Sequence, residues 1–182
     1  MKCVKKILFI ILGVLCLTGC NNLMNTPTKK VEYLLSKYQK NDEMVARQLS
    51  DTLLADTFLN QEEKDRYQTI MERQYQNLTY KVKNEAIDGK TAVVEVEIEV
   101  YDYNKAIKNT EDFLLTNSSE FQDDEGNIIT SKYNEYKLKA MEDMNDRITY
   151  TINFTLSKME DEWLVDDLTE AERLKIHGLY AY

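Results

Sequence analysis

The chain has 182 residues, with 23 Lys and Arg against 32 Asp and Glu and a formal net charge of −9. That length suits one domain with a real core and is short for two. The acidity argues against nucleic acid, whose binding needs a basic face to neutralise phosphate, and against a domain lying flat on anionic lipid.

The chain opens with Lys2, Lys5 and Lys6 ahead of the apolar run Ile7 to Leu15, a basic region followed by an apolar one of signal-peptide length. A membrane-spanning helix needs about 20 apolar residues. This run is cut off by Thr18, Gly19, Asn21 and Asn22. The stretch Leu17-Thr18-Gly19-Cys20 that closes it resembles the lipobox of bacterial lipoproteins. The resemblance implies that residues 1–19 are a cleaved signal peptide and that the Cys20 thiol carries a diacylglyceryl group. It further implies that the protein is held by this lipid at the extracytoplasmic face of the cell membrane. Two acyl chains are what stable attachment takes. Of the three cysteines, Cys3 and Cys16 would leave with the leader and Cys20 would be alkylated. Disulfides, thiolate catalysis and cysteine metal sites are then excluded together. Loss of the leader lysines leaves 20 basic against 32 acidic side chains, a balance of −12. Abundant Lys, Asn, Ile and Tyr with a single Pro resemble the usage of low-GC Gram-positive bacteria.

Residues 20–28, with the only proline, read as the lipidated N-terminus and a tether, and residues 29–182 as one domain. Val31, Leu34, Leu35 and Tyr38 recur at helical spacing, with Thr28 as the expected cap. A second, shorter helix is expected over 43–51. A third starts near Asn60, with Glu62 and Glu63 in its first turn and a face of Tyr67, Ile70, Met71, Tyr75 and Leu78. The period then changes to two. Leu78, Tyr80 and Val82 alternate with polar residues, Asp88-Gly89 supplies turn chemistry, and Ala92, Val94, Val96, Ile98 and Val100 alternate with Glu95, Glu97 and Glu99. One face of such an antiparallel pair is dry and the other wet.

Residues 101–145 interrupt the strands. Tyr103, Ile107 and Leu114 indicate one helix, and residues 122–127 a polar loop. A face of Tyr133, Tyr136, Lys137, Ala140, Met141 and Met144 indicates another helix, capped by Thr130 or Ser131. Alternation returns in Ile148, Tyr150, Ile152, Phe154 and Leu156. Residues 159–162 form a turn, Trp163 begins a last strand ending near Leu168, and a terminal helix from Thr169 stops at Gly178. The expected fold is therefore α+β: N-terminal helices packed on a curved antiparallel sheet of about four strands, with a helical insertion between the second and third. This order, with a Trp on the last strand, resembles the nuclear-transport-factor-2-like (cystatin-like) superfamily and its small bacterial lipoprotein branch. The resemblance implies a cone-shaped cavity that some members use for ligands or catalysis and others fill.

No motif marks a catalytic, cofactor or metal site. His177 is the only histidine, too few for a His-rich metal site, and reads as a helix-terminal residue favoured by the C-terminal dipole. Asp123-Asp124-Glu125-Gly126-Asn127 reads as a solvated acidic turn. If Gly126 held the sixth position of a calcium loop, Phe121 would hold the first, where an oxygen is required. The Glu95, Glu97 and Glu99 row is a solvated face that Lys81 and Lys83 can neutralise across the hairpin. Tyr80, Tyr150 and Asp166 are the set that the superfamily's isomerase and dehydratase chemistry would call on, and no motif supports it. Twelve tyrosines suit either a partner surface or a small core.

The function expected from the sequence is a lipid-anchored, non-enzymatic binding or scaffolding domain without cofactor, with the membrane, an unidentified protein or a small molecule as partner, and no nucleic acid. A small-molecule binder, a cavity enzyme and an immunity or exclusion lipoprotein are the alternatives. A pocket of about 300 Å3 or more with a few polar groups separates the ligand reading from the scaffold.

Overall fold

The computed structural model describes residues 24–182. The leader, the lipobox and Cys20 lie outside the described residues. Six α-helices pack on one face of a four-stranded antiparallel sheet whose strands follow chain order. The elements are α1 (Pro27–Gln39), α2 (Glu43–Ala55), α3 (Gln61–Gln76), β1 (Thr79–Asp88), β2 (Thr91–Tyr101), α4 (Tyr103–Thr116), α5 (Thr130–Glu142), β3 (Arg147–Met159), β4 (Glu162–Val165) and α6 (Glu170–His177).

The sheet is built as the alternation predicts. Ala92, Val94, Val96, Ile98 and Val100 of β2 and Tyr150, Ile152, Phe154 and Leu156 of β3 are buried on one face. They are in register, Val94 opposite Phe154 and Ile98 opposite Tyr150. A one-residue slip would bury the glutamates of β2, which fixes the pairing. Gly89, at φ +59°, turns β1 into β2. Glu160 and Asp161, at φ +47° and +71°, turn β3 into β4, matching the primed hairpin geometry that suits twisted strands. β1 carries a bulge between Val82 and Asn84. Beyond it every residue of β1 is exposed, and this half of the edge strand meets helix α1 through Glu85, which accepts the N–H of Thr28 at 2.9 Å.

Several boundaries differ from expectation. Helix α1 starts at Pro27, and Thr26 is its cap, its hydroxyl accepting the Lys29 N–H at 3.3 Å. Thr28 lies inside the helix. Proline at the first position has its φ preset and lacks only an N–H that would be unpaired there. Folded structure therefore reaches into the residues expected as tether: Pro27 is buried, and Asn25 bonds the β3–β4 turn. Helix α2 runs on past 51 to Ala55, because Leu49 and Leu53 continue its buried face. Strand β1 begins at Thr79, with Leu78 buried just before it. Strand β4 stops at Val165.

Helices α4 and α5 form the insertion between β2 and β3. Helix α5 is rotated from its expected face: Asn134, Leu138 and Met141 are buried, while Tyr136 stacks on Phe113 at 4.8 Å. The cause is polar. The Asn134 amide donates to the Phe58 carbonyl at 2.9 Å and to Glu63 at 3.2 Å, and Glu63 closes the capping box with Asn60. The expected cap at Thr130 or Ser131 is absent; both lie inside α5, behind Ile129. Arg66 of α3 clasps Glu142 of α5 through Nε at 2.9 Å and Nη2 at 3.0 Å, a two-pronged pairing that fixes orientation.

A buried glutamine joins three elements. Gln74 of α3 donates from Nε2 to the Tyr101 carbonyl at 2.9 Å and the His177 carbonyl at 2.8 Å. Its Oε1 accepts the Tyr101 N–H at 2.8 Å. Gly178 follows at φ +70°, and a Cβ there would meet the Tyr101 oxygen at 2.1 Å. Removing either feature leaves buried backbone groups unpaired or in collision. Gln74→Leu should lower the unfolding free energy in urea by about 3 kcal/mol. Gly178→Ala should lower it further than a φ change alone would. Wild-type midpoints for both variants would disprove the role of this junction.

Candidate ligand cleft

A cleft of about 630 Å3 opens between α1, α2, α3, the segment after β4, and α6. Leu34 and Tyr38 come from α1, Val45 and Leu49 from α2, Tyr67 and Tyr75 from α3, and His177 from the end of α6. The size is that of a small-molecule site.

Helical spacing puts the aromatic groups together. Tyr67 and Tyr75 are two turns apart on α3, on the face that α1 and α6 cover. Tyr38 meets Tyr75 edge-on with ring centroids 5.3 Å apart, and the His177 imidazole lies 5.7 Å from Tyr75 on the other side. Gln74 holds the backbone of His177 to the end of β2, which sets where the imidazole can reach.

Burial pushes the Tyr67 hydroxyl up to about 12, with the nearby Asp56 charge adding to it. It raises Tyr75 further, and it raises Tyr38 against the opposing charge of Arg173. Burial lowers His177 to about 4, helped by the Arg173 charge. At neutral pH the cleft therefore presents three protonated phenols and a neutral imidazole. None of these four groups is among the buried polar side chains left without a partner, so their hydroxyls and ring nitrogens are open to the water of the cleft. The mouth is charged: Asp51, Asp166 and Asp167 are exposed and without ion-pair partners among the described residues, and Arg173 donates to the Leu168 carbonyl. The arrangement can bind a compact apolar body and hydrogen-bond it at several points.

The residues singled out from the sequence fare differently. His177 ends a helix as expected, and its ring lines the cleft, where burial keeps it neutral. Tyr80, Tyr150 and Asp166 are not brought together. Tyr80 and Tyr150 flank Ile98 across the sheet. The Tyr150 hydroxyl is spent on the Tyr180 carbonyl at 2.9 Å, and only Asp166 reaches the cleft mouth. In the glutamate row, Lys83 pairs with Glu97 at 3.3 Å and Arg147 with Glu99 at 3.4 Å. Lys81 stands opposite Glu97 without forming an ion pair. Asp123 closes its own loop by accepting the N–H groups of Glu125 and Asn127 at 3.0 and 2.8 Å, which lowers its carboxyl below the usual range. Among the described residues no group of three His, Cys, Asp or Glu could hold a metal ion. A second recess, of about 490 Å3 beside α4, is closed on itself: Tyr182 donates to Asp102 at 2.9 Å and Lys105 to Asp146 at 2.7 Å.

Tyr38, Tyr67 and Tyr75 were legible only as a helical core face. The missed signal is the residue type, since a Tyr where Leu would pack keeps a polar tip that needs a partner.

No protein-family model and no curated protein matches the chain. Among solved structures it is similar to a proposed lipoprotein, YcdA, from Bacillus subtilis, at 15% identity with a TM-score of 0.41, over 82% of this chain and 46% of that one. The chain thus spans less than half the length of that protein. None of these comparisons carries the nuclear-transport-factor-2-like resemblance.

The low imidazole value makes His177 a stability probe. Its value is lowered from 6.5 to about 4, so folding is favoured fully above pH 6.5 and loses that contribution as pH falls towards 4. His177→Phe should abolish about 2 kcal/mol of the stability change between pH 7 and pH 4.5, the remainder belonging to carboxylates. Parallel denaturation profiles for wild type and variant would show that the imidazole is not desolvated.

Proposed function

We propose that the protein is a bacterial lipoprotein, anchored through Cys20 at the extracytoplasmic face of the cell membrane, and that its domain has a non-enzymatic binding role with the α1–α2–α3–α6 cleft as a small-molecule site. The observation that carries the binding half is the convergence of the hydroxyls of Tyr38, Tyr67 and Tyr75 and the neutral His177 on a mainly apolar, solvent-open cleft of about 630 Å3. A few convergent polar groups on an otherwise apolar lining give a small ligand hydrogen bonds in place of the water that reaches them. The leader pattern and Leu17-Thr18-Gly19-Cys20 carry the anchoring half. No helix among the described residues is long and apolar enough to cross a membrane.

A binding role fits better than catalysis. A base near 4 removes protons poorly at neutral pH. The carboxylates of the cleft stand at its exposed mouth rather than in its dry interior. The acidic surface fits a solvated body beside the bilayer and gives nucleic acid no footing.

Each half has its own test. Cys20→Ala in the native host should abolish lipidation and move the protein from the detergent phase to the aqueous phase. Detergent partition equal to wild type, or an uncleaved N-terminus by mass spectrometry, overturns the anchor. For the cleft, an NMR fragment screen should return weak aromatic or amphiphilic binders that shift Tyr67, Tyr75 and His177, with affinity lost in Tyr67→Leu. Binders that act elsewhere, or a library without hits, would leave the cleft without a role.

A further inference from the structure

The sheet carries exposed apolar residues at one end. Met24, Ile87, Val93, Met159 and Leu164 are 41–70% exposed. Ile87 ends β1, Val93 begins β2, and Met159 and Leu164 flank the β3–β4 turn. On the outer face Val93 lies opposite Thr155 and Leu164 opposite Ser157, among short side chains. Further along, the same face carries Glu95, Glu97, Lys81, Asn153, Thr151 and Thr149. An apolar tip thus adjoins a polar blade.

The tip is also where the chain arrives from Cys20. Asn25 is fastened there, its amide donating to the Asp161 carbonyl at 2.7 Å and its Oδ1 accepting the Trp163 N–H at 3.0 Å. Five residue steps separate Cys20 from Asn25, a reach of at most roughly 18 Å. A lipid on Cys20 therefore cannot carry the tip far from the bilayer surface. The carboxylates that would oppose an anionic membrane are partly neutralised in place. Glu162 pairs with Lys30 at 2.6 Å and Asp161 with Lys158 at 3.5 Å, while Glu85 accepts the Thr28 hydroxyl at 2.6 Å.

We infer that this end of the sheet is a membrane-docking surface: the apolar side chains of Met24, Ile87, Val93, Met159 and Leu164 enter the lipid interface beside the anchor, and the domain stands end-on. The occupant is lipid, because the tether brings lipid to this end and to no other. The surface supplements the anchor by burying apolar side chains, much as interfacial segments do, and fixes the orientation that a flexible tether alone leaves free. The inference rests on the anchored reading above, and its test replaces the natural lipid so that the two can fail separately.

The mature chain, residues 20–182, has Cys20 as its one thiol. It is coupled through that thiol to maleimide lipid in nanodiscs of phosphatidylglycerol and phosphatidylethanolamine containing a gadolinium-chelating lipid, and amide signals are followed by NMR. Docking predicts loss of the Asp161 and Leu164 signals with those of Glu99 and Arg147, at the opposite end of the sheet, retained. Met159→Glu with Leu164→Glu, both at exposed positions, should restore the tip signals at an unchanged melting temperature. Equal broadening at both ends, or a double variant that behaves as wild type, overturns the docking surface and leaves Cys20 lipidation untouched. An unmodified native N-terminus overturns the anchor whatever the nanodiscs show.

Discussion

The structure depends on the two-way hydrogen bonding of one buried amide. Gln74 is fully enclosed, and it hydrogen-bonds the backbone of both the end of β2 and the end of α6. A hydrophobic residue of the same size would fill the space and satisfy nothing. Amide hydrogen bonds in a dry site are strong and directional, and an unmade one is costly. That is why the junction tolerates only glycine at 178, where Tyr101 and Gln74 close over the Cα. The consequence for the cleft is direct. Helix α6 is short, eight residues, and is held by this bond and its capping box more than by its own length. The position of His177 against Tyr75 follows from it.

The two layers divide the work by charge as well as by packing. The outer sheet face is wet and its glutamates are offset by Lys83 and Arg147. The helical layer spends its cations on carbonyls and carboxylates that knit α3 to the insertion, Arg66 on Glu142 and Arg73 on the Met144 carbonyl at 2.8 Å. Exposed pairs of this kind add little stability one by one. Their value here is positional, because α4 and α5 otherwise touch the rest of the chain over a limited face. With most cations engaged elsewhere, the unpaired carboxylates of Asp51, Asp166 and Asp167 leave the cleft mouth with an excess of negative charge over Arg173.

Much of the fold could be read in the residues, and the part that could not has a physical cause. The period-two run from Ala92 to Val100 and its partner from Tyr150 to Leu156 stated the buried face residue by residue, because burial on one side of a strand leaves no other arrangement. Asn60 and Thr169 were read as helix starts, and the structure adds that each closes a capping box with the glutamate three residues on. Helix α5 was misread because its orientation is set by Asn134, a polar residue whose partners, Phe58 and Glu63, lie more than 70 positions away. Gln74 was invisible for the same reason. Periodicity records apolar burial and is silent about buried hydrogen bonds between distant segments. The cleft was half legible: its tyrosines were assigned to the correct face of the correct helices, but whether such a face closes on a core or stops short of it depends on how α1, α2 and α6 converge.

The two surfaces proposed for function lie at different ends of one helix, and this follows from the geometry of α1. Thr26 caps it at the β3–β4 turn, and Gln39 bonds the Leu78 carbonyl at its far end. Tyr38 enters the cleft eleven residues after Pro27, a rise of roughly 16 Å. Strand β4 runs the same way, from Glu162 at the turn to the Asp166–Leu168 segment at the cleft mouth. In the proposed orientation an anchor at the turn would point the tip at the lipid and leave the cleft open to the medium. The proposed end-on stance would also keep the acidic sides of the domain away from an anionic bilayer, where lying flat would bring Glu95, Glu97 and Glu99 against it. An overall negative charge and the proposed membrane address are compatible as long as the contact is confined to the one end where Glu162 and Asp161 are paired with lysines and several exposed side chains are apolar.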